Sequence, residues 1–228
     1  SQFPFELFGV FALAILFALV LFTLIGREIK SSFYKSQALE VDKVEMTIQH
    51  FIEENRDLFA VYSRMSDKNE PAALLVSYTD IYFCDAGFVV TRILKNGPGS
   101  PVFPGYNLGK SMLPGMLAAI DASTPVVSAM FRAPEDERLS VYVGARSGSG
   151  YLVGRIGIAS LKSELQRIAE YSGSIVIIAT GDGYILSSSG DPLHLHILPS
   201  DDSSEINVGG VDYLYMRKHS EALGKDIA

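Results

Sequence analysis

Cysteine occurs once in these 228 residues, at Cys84. A single thiol can form neither an internal disulfide nor a cysteine-based zinc site, and because exported proteins need no disulfides it leaves the compartment open. Positive charge is also scarce: 19 Lys and Arg stand against 26 Asp and Glu, a net charge of −7. That balance argues against a binder of phosphate backbones, which would reward clustered Lys and Arg, so nucleic acid is not an expected partner. Charged residues make up only 20% of the chain and hydrophobic ones 48%. A disordered tail or collagen-like repeat is thereby excluded as the main content. The length suits one large or two small domains with ample chain for a core.

Much of the hydrophobicity lies at one end. Leu7 to Ile25 reads LFGVFALAILFALVLFTLI, nineteen residues without a charge, close to the ~30 Å of a bilayer core at ~1.5 Å per residue. A cleavable signal peptide would carry an apolar region of about 7–15 residues ending in small side chains, whereas Leu21, Phe22, Leu24 and Ile25 are bulky. Residues 1–26 are therefore expected to be a transmembrane anchor. Arg27, Lys30 and Lys35 follow the span and only Glu6 precedes it, which by the positive-inside rule would place the body in the cytoplasm. The chain begins at Ser1 rather than Met, so a basic leader ahead of the span is compatible with the opposite orientation.

Residues 27–66 are expected to form a long helix. Val41, Val44, Ile48, Phe51, Asn55, Leu58, Tyr62 and Met65 recur at alternating spacings of three and four, one apolar stripe. Such a stripe serves either a seam between two copies or packing on the chain's own sheet. Asn55 resembles the polar residue that sets register in dimeric coils. A signalling and dimerisation helix through Val41, Val44, Ile48, Phe51 and Asn55, and hence a homodimer, is one expectation; an intramolecular stripe is the other. Ser66 to Pro71 is expected to end the helix.

From Ala72 the period becomes extended. Ile81–Asp85 and Phe88–Leu94 read as a hairpin around Asp85-Ala86-Gly87, with glycine supplying a positive φ. A turn-rich crossing holds Pro98, Pro101 and Pro104 and leads into a short helix over Met112–Ile120. Val126–Phe131, Leu139–Ala145 and Tyr151–Ala159 read as three more strands, separated by the acidic Pro134–Glu137 loop and by Ser147–Gly150. A helix over Leu161–Tyr171 follows. This order predicts an α+β fold with antiparallel sheets and helices gathered on one side. Ile177–Leu186 then repeats the layout of Ile81–Val90 at an offset of 96, the mark of an internal duplication whose second copy is smaller or cut short.

The DAGFVV hairpin, VVSAMF, LSVYVGA, GYLVGRIGIASLKSELQRI and IVIIATGDGYILSSSGD, behind a span and a long helix, resemble the double Cache sensor region of bacterial transmembrane receptors. The resemblance implies two PAS-like modules on a long helix outside the cytoplasmic membrane. The membrane-distal module would cover residues 67–172 and a membrane-proximal one, smaller or cut short, residues 173–228. It places the soluble part in the periplasm, against the literal charge rule. With no second span and no cyclase, phosphodiesterase, kinase or methyl-accepting segment in view, the chain is expected to be an input half, not itself an enzyme and without a cofactor. Family members that bind amino acids hold the amine with an aspartate at the end of the first module's last strand. Ala159 stands there, so the resemblance disfavours an amine, whose buried charge would lack a partner.

Strand alternation puts Ser128, Met130 and Arg132, and Ser140, Tyr142 and Arg146, on the less apolar face. Together with Tyr106 on the crossing, Ser128, Arg132, Tyr142 and Arg146 are the candidate ligand-binding residues. Arginine there suits a small organic anion, because its guanidinium grips a carboxylate through two hydrogen bonds. Other motifs carry less. Gly105–Ser111 lacks the first glycine of a phosphate loop, since position 104 is Pro104. His194 and His196 would need further ligands such as Asp191 or Asp201 to hold a metal, so no metal is expected. Asp85, Asp182 and Asp191 fit turn hydrogen bonding, and Ser187–Ser189 lacks a nucleophile elbow. Two functions remain: a ligand-sensing receptor region, and a membrane-anchored PAS-like module that only dimerises or holds a partner.

Overall fold

The computed structural model describes residues 3–65, 75–110, 120, 124–133, 138–172, 175–180, 182, 185–189, 203–208, 211–221 and 223–227. The chain divides into two units, Ser1–Glu40 and Val41–Ala228. Helix α1, Phe3–Arg64, supplies the first unit and opens the second. Over residues 11–25 of the first unit the side chains are exposed and nearly all apolar, Phe11 at 70% and Phe22 at 80% among them. This helix is long and apolar enough to cross a membrane.

In the second unit one face of α1 is covered. Val41, Val44, Ile48, Ile52, Asn55, Phe59 and Tyr62 are buried, with Phe51 and Leu58 half-buried beside them. The face is broader than a coiled-coil seam, which is what a helix needs to lie on a sheet. Val44, Ile48, Ile52, Phe59 and Tyr62 share a core with Tyr78, Ile81, Val141, Val143, Leu152 and Ile156. Asn55 is satisfied within the chain: its side-chain amide donates to the Phe51 carbonyl at 2.7 Å and its own carbonyl accepts the Tyr78 hydroxyl at 2.9 Å. Of the two readings of the stripe, the structure contains the intramolecular one. Val44, Ile48 and Phe51 are committed to this core, and Asn55 has its hydrogen bonds there, so this face is not free to be a dimer seam.

The main sheet is formed by β1 (Tyr78–Cys84), β2 (Val90–Lys95), β3 (Val126–Val127), β4 (Phe131–Arg132), β5 (Leu139–Ser147) and β6 (Gly150–Gly157). Its order is β2-β1-β6-β5-β3, with β4 also paired to β5, and all pairings are antiparallel. Helix α2, Ile158–Ser172, lays Leu161, Leu165 and Ala169 into the same core as α1. These positions recur at four-residue spacing, the signature of a half-buried helix. A second sheet, β11-β12-β7-β8, joins β7 (Ile177–Ala179), β8 (Ile185–Ser188), β11 (Lys218–Ser220) and β12 (Lys225–Ile227). β9 (Ser203–Val208) and β10 (Val211–Met216) form a separate antiparallel pair. Val176, Ile178 and Leu223 from this region join the main core, and the Met130 amide donates to the Leu223 carbonyl at 2.8 Å.

The β1–β2 turn departs from the sequence expectation. The left-handed residue is Phe88, with φ 60°, and not Gly87. Asp85 Oδ1 accepts the amides of Gly87 at 2.8 Å and Val89 at 3.0 Å, and the Phe88 ring stacks on Tyr151 at 4.3 Å. A clamped turn and a stacked ring hold a conformation that side chains otherwise avoid. The expected helix over Met112–Ile120, the Ser66–Pro71 terminator and the Pro134–Glu137 loop lie, apart from Ile120, outside the described residues.

Candidate functional site

The face of the main sheet turned away from α1 carries a second apolar cluster: Tyr82, Cys84, Val90, Val102, Leu108, Ile120, Ala133, Tyr142 and Val153. The crossing segment covers it. Its residues are pinned along β2 by backbone hydrogen bonds from Val90 to Tyr106, Gly105 to Val90 and Leu108 to Phe88, at 2.7–3.0 Å.

Polar groups are embedded in this covered face. Asp80 and Arg155 are each 2% exposed, and Arg155 Nη1 lies 3.6 Å from Asp80 Oδ2. Arg155 Nε donates to Ser140 Oγ at 2.8 Å. Asp80 also accepts the Thr79 hydroxyl at 2.9 Å and the Gly97 amide at 2.7 Å. Burying two charges is tolerable only with this many hydrogen bonds around them. The Gly97 bond makes the ion pair the anchor for the start of the crossing. Tyr82 and Ser100 hydroxyls meet at 3.1 Å, a second tie between sheet and crossing. Burial pushes the Tyr82 phenol far above its ordinary range.

Tyr142, next to Arg155 across β5 and β6, is fully buried and stacks on Phe131 at 5.5 Å. Among the described residues its hydroxyl has no hydrogen-bond partner. An unsatisfied buried donor costs about 1–3 kcal/mol, so this hydroxyl is an opening for an acceptor from a ligand.

Cys84 shares the face. Burial, with Asp85 adding to it, pushes the thiol up to about 12, so at neutral pH it is neither nucleophile nor redox partner. Maleimide labelling is expected to be negligible in the folded chain and rapid after denaturation.

The sequence-derived candidates separate. Tyr142 and half-buried Tyr106 belong to the same cluster. Ser128 is buried but serves strand pairing: its amide donates to the Tyr142 carbonyl and its hydroxyl accepts the Tyr142 amide, both at 2.9 Å. Arg132 and Arg146 are exposed. Between the Val127↔Val143 and Phe131↔Ser140 pairs the chain takes four steps against three on β5. That extra residue is a bulge, and a bulge reverses the faces beyond it. Arg132 therefore pairs with Leu139, a residue of the α1-facing core, and not with the covered face. Arg146 keeps the predicted face but sits at the strand's end opposite Tyr151. Ala159 is exposed in the first turn of α2, so its lack of charge does not bear on an amine ligand. Among the described residues, the acid embedded in the covered face is Asp80. Among the described residues no three His, Cys, Asp or Glu converge on a metal position, and His194 and His196 lie outside those residues.

No protein-family model and no curated protein matches this chain. Solved structures do. The ligand-binding domain of a Campylobacter jejuni chemoreceptor in complex with L-valine superposes with a TM-score of 0.59 at 9% identity, covering 88% of this chain and 92% of that one. A Pseudomonas fluorescens chemoreceptor domain in complex with L-serine gives 0.54 at 16% identity, covering 88% and 96%. An extracellular ligand binding receptor from Desulfohalobium retbaense gives 0.57 at 9% identity, covering 84% of this chain and 39% of that one. What is shared at these identities is architecture: this chain has the α+β fold of chemoreceptor ligand-binding domains, a long N-terminal helix followed by antiparallel sheet.

Proposed function

We propose that the chain is the extracytoplasmic ligand-sensing region of a bacterial transmembrane signalling receptor, anchored in the inner membrane by residues 1–26. On this reading residues 67–172 and 173–228 are its two PAS-like modules, in a double Cache arrangement. The observation that carries the proposal is the Tyr142 hydroxyl, buried and without a hydrogen-bond partner among the described residues, on a sheet face closed by a crossing segment. The ligand is a small organic molecule presenting an acceptor, best a carboxylate, to Tyr142 beside Arg155. β1 is the link to the helix. It turns Asp80 and Tyr82 to the covered face, and Tyr78 and Ile81 to the core shared with α1, where Tyr78 bonds Asn55. A ligand that draws the crossing onto the sheet therefore strains the strand that α1 rests on. A homodimer, if one carries the signal, uses a surface other than the buried face of α1.

Replacing Tyr142 by Phe tests this. Removing a donor that has no acceptor is expected to stabilise the ligand-free chain by about 1 kcal/mol and to abolish the thermal shift given by the true ligand. A screen of organic acids, amino acids, polyamines and nucleosides identifies that ligand. At a hundred times its dissociation constant it adds about 2.7 kcal/mol of stability. No hit among acids and amino acids, with Tyr142→Phe less stable than wild type, would make Tyr142 an ordinary core residue and move weight to a partner-binding module.

A further inference from the structure

Three bases follow the apolar run Leu7–Ile25, and none belongs to the Tyr142 face: Arg27, Lys30 and Lys35 are exposed on α1. Between Gly26 and Leu39 they stand against one acid, Glu28. The chain as a whole carries −7, so this stretch is a local reversal of sign. Helix α1 runs through it without a break. Arg27 and Lys30 therefore lie two and five residues past Ile25, about 3 and 8 Å along the axis. With Leu7–Ile25 in hydrocarbon, that is the depth of the headgroup layer, about 5–8 Å thick on each side of a bilayer. Tyr34 and Lys35 lie further out, at about 14 and 15 Å. Side chains on a helix lean toward its N-terminus, here toward the bilayer, and basic side chains reach headgroups over their own apolar stems.

Arg27, Lys30 and Tyr34 share one face. They recur three and four residues apart, and Lys30 Nζ sits over the Tyr34 ring, 6.0 Å from its centroid. Glu28 stands one residue from Arg27 and two from Lys30, spacings that do not bring side chains together on a helix. A guanidinium and an ammonium about one turn apart match a phosphate, the first gripping two oxygens and the second acting as a point charge. A phenol beside them suits the same layer, where aromatic rings with a polar tip gather. In a zwitterionic lipid the headgroup's own ammonium competes for the phosphate and is repelled by the two bases. In an anionic lipid nothing opposes them.

We infer that Arg27, Lys30 and Tyr34 form a binding site for the headgroup of an anionic phospholipid, with Lys35 adding to the field from further out. The bound lipid fixes the depth and rotation at which α1 leaves the bilayer. This rests on the reading of residues 1–26 as a span and on no other part of the proposed function, and it holds for either orientation of that span.

The 228-residue chain reconstituted in phosphatidylcholine vesicles tests both. Resistance to alkaline carbonate extraction reads the span. Electron spin resonance then compares trace spin-labelled phosphatidylglycerol with spin-labelled phosphatidylcholine in the lipid shell held by the protein. Phosphatidylglycerol is expected to be preferred about fivefold, the attraction of one base for an anionic surface. Arg27→Gln with Lys30→Gln should bring the preference close to one, and Lys35→Gln should lower it only slightly. Lys43→Gln with Arg64→Gln removes the same charge from exposed positions further along α1 and should leave it unchanged. Circular dichroism spectra matching wild type separate lost binding from lost fold. A chain extracted by carbonate would remove the span and the lipid site together. A chain that resists extraction yet shows no preference, or loses it equally in both double variants, would overturn the inference and leave the span standing.

Discussion

Arg155→Leu is expected to destabilise the chain by about 3–5 kcal/mol, because it leaves the Asp80 carboxylate buried without its counter-charge. For a body of this size each kcal/mol moves the midpoint by about 2–4 °C, so the loss is plain in a thermal melt. The two charges sit at 2–3% exposure, where no water can take over the guanidinium's role. Asp80 is also the acceptor for Gly97, so the start of the crossing should loosen with the core, and protease should cut there before the chain unfolds. The double variant Arg155→Leu with Asp80→Asn is expected to be more stable than Arg155→Leu alone. It removes the unpaired charge yet keeps a carbonyl oxygen for the Gly97 amide. A coupling of about 1–3 kcal/mol in the full cycle is the expected result for charges in contact. Additive losses would mean that Asp80 and Arg155 act separately, and the ion pair would drop out of the account of the covered face.

The sequence carries a signal for that pair. Asp80 in Tyr-Thr-Asp-Ile-Tyr-Phe and Arg155 in Val-Gly-Arg-Ile-Gly are charges inside otherwise apolar extended runs. A charge there requires a buried partner of opposite sign, and the two parities could have been matched. Alternation along Leu139–Ala145 points instead to Arg146, and alternation carried unbroken through Val126–Phe131 points to Arg132. The extra residue between Val127 and Phe131 turns that count over, and nothing local announces it. What was legible rested on period. The stripe on α1, the hairpins and the closing helix all lie close to where their spacing put them. The stripe's partner was not legible, because packing on a neighbour and packing on one's own sheet demand the same apolar spacing. Phe88 rather than Gly87 adopts the left-handed conformation because Asp85 binds the amides of both Gly87 and Val89, which fixes the turn one residue later than composition suggests.

The contact between α1 and the sheet depends most closely on a residue with no side chain. A Cβ built at Gly154 would lie 2.5 Å from Tyr78 Cε1 and 2.6 Å from Phe59 Cε2. Neither ring has room to withdraw: both are buried, they stack on each other at 5.1 Å, and the Tyr78 hydroxyl is held by the Asn55 carbonyl. Overpacking a core typically costs about 1–3 kcal/mol, and Gly154→Ala is expected near the top of that range because two aromatic rings and a hydrogen bond resist together. The α1 segment around Asn55 and Phe59 should show faster amide exchange, since it is the helix that must lift. Phe59→Leu on its own leaves a partly empty site and is expected to destabilise. Combined with Gly154→Ala it opens space for the new methyl group, so the double variant should be more stable than the sum of the two losses predicts. Strict additivity in chemical denaturation, with unchanged exchange along α1, would show that Gly154 is not the point where sheet and helix are fitted together.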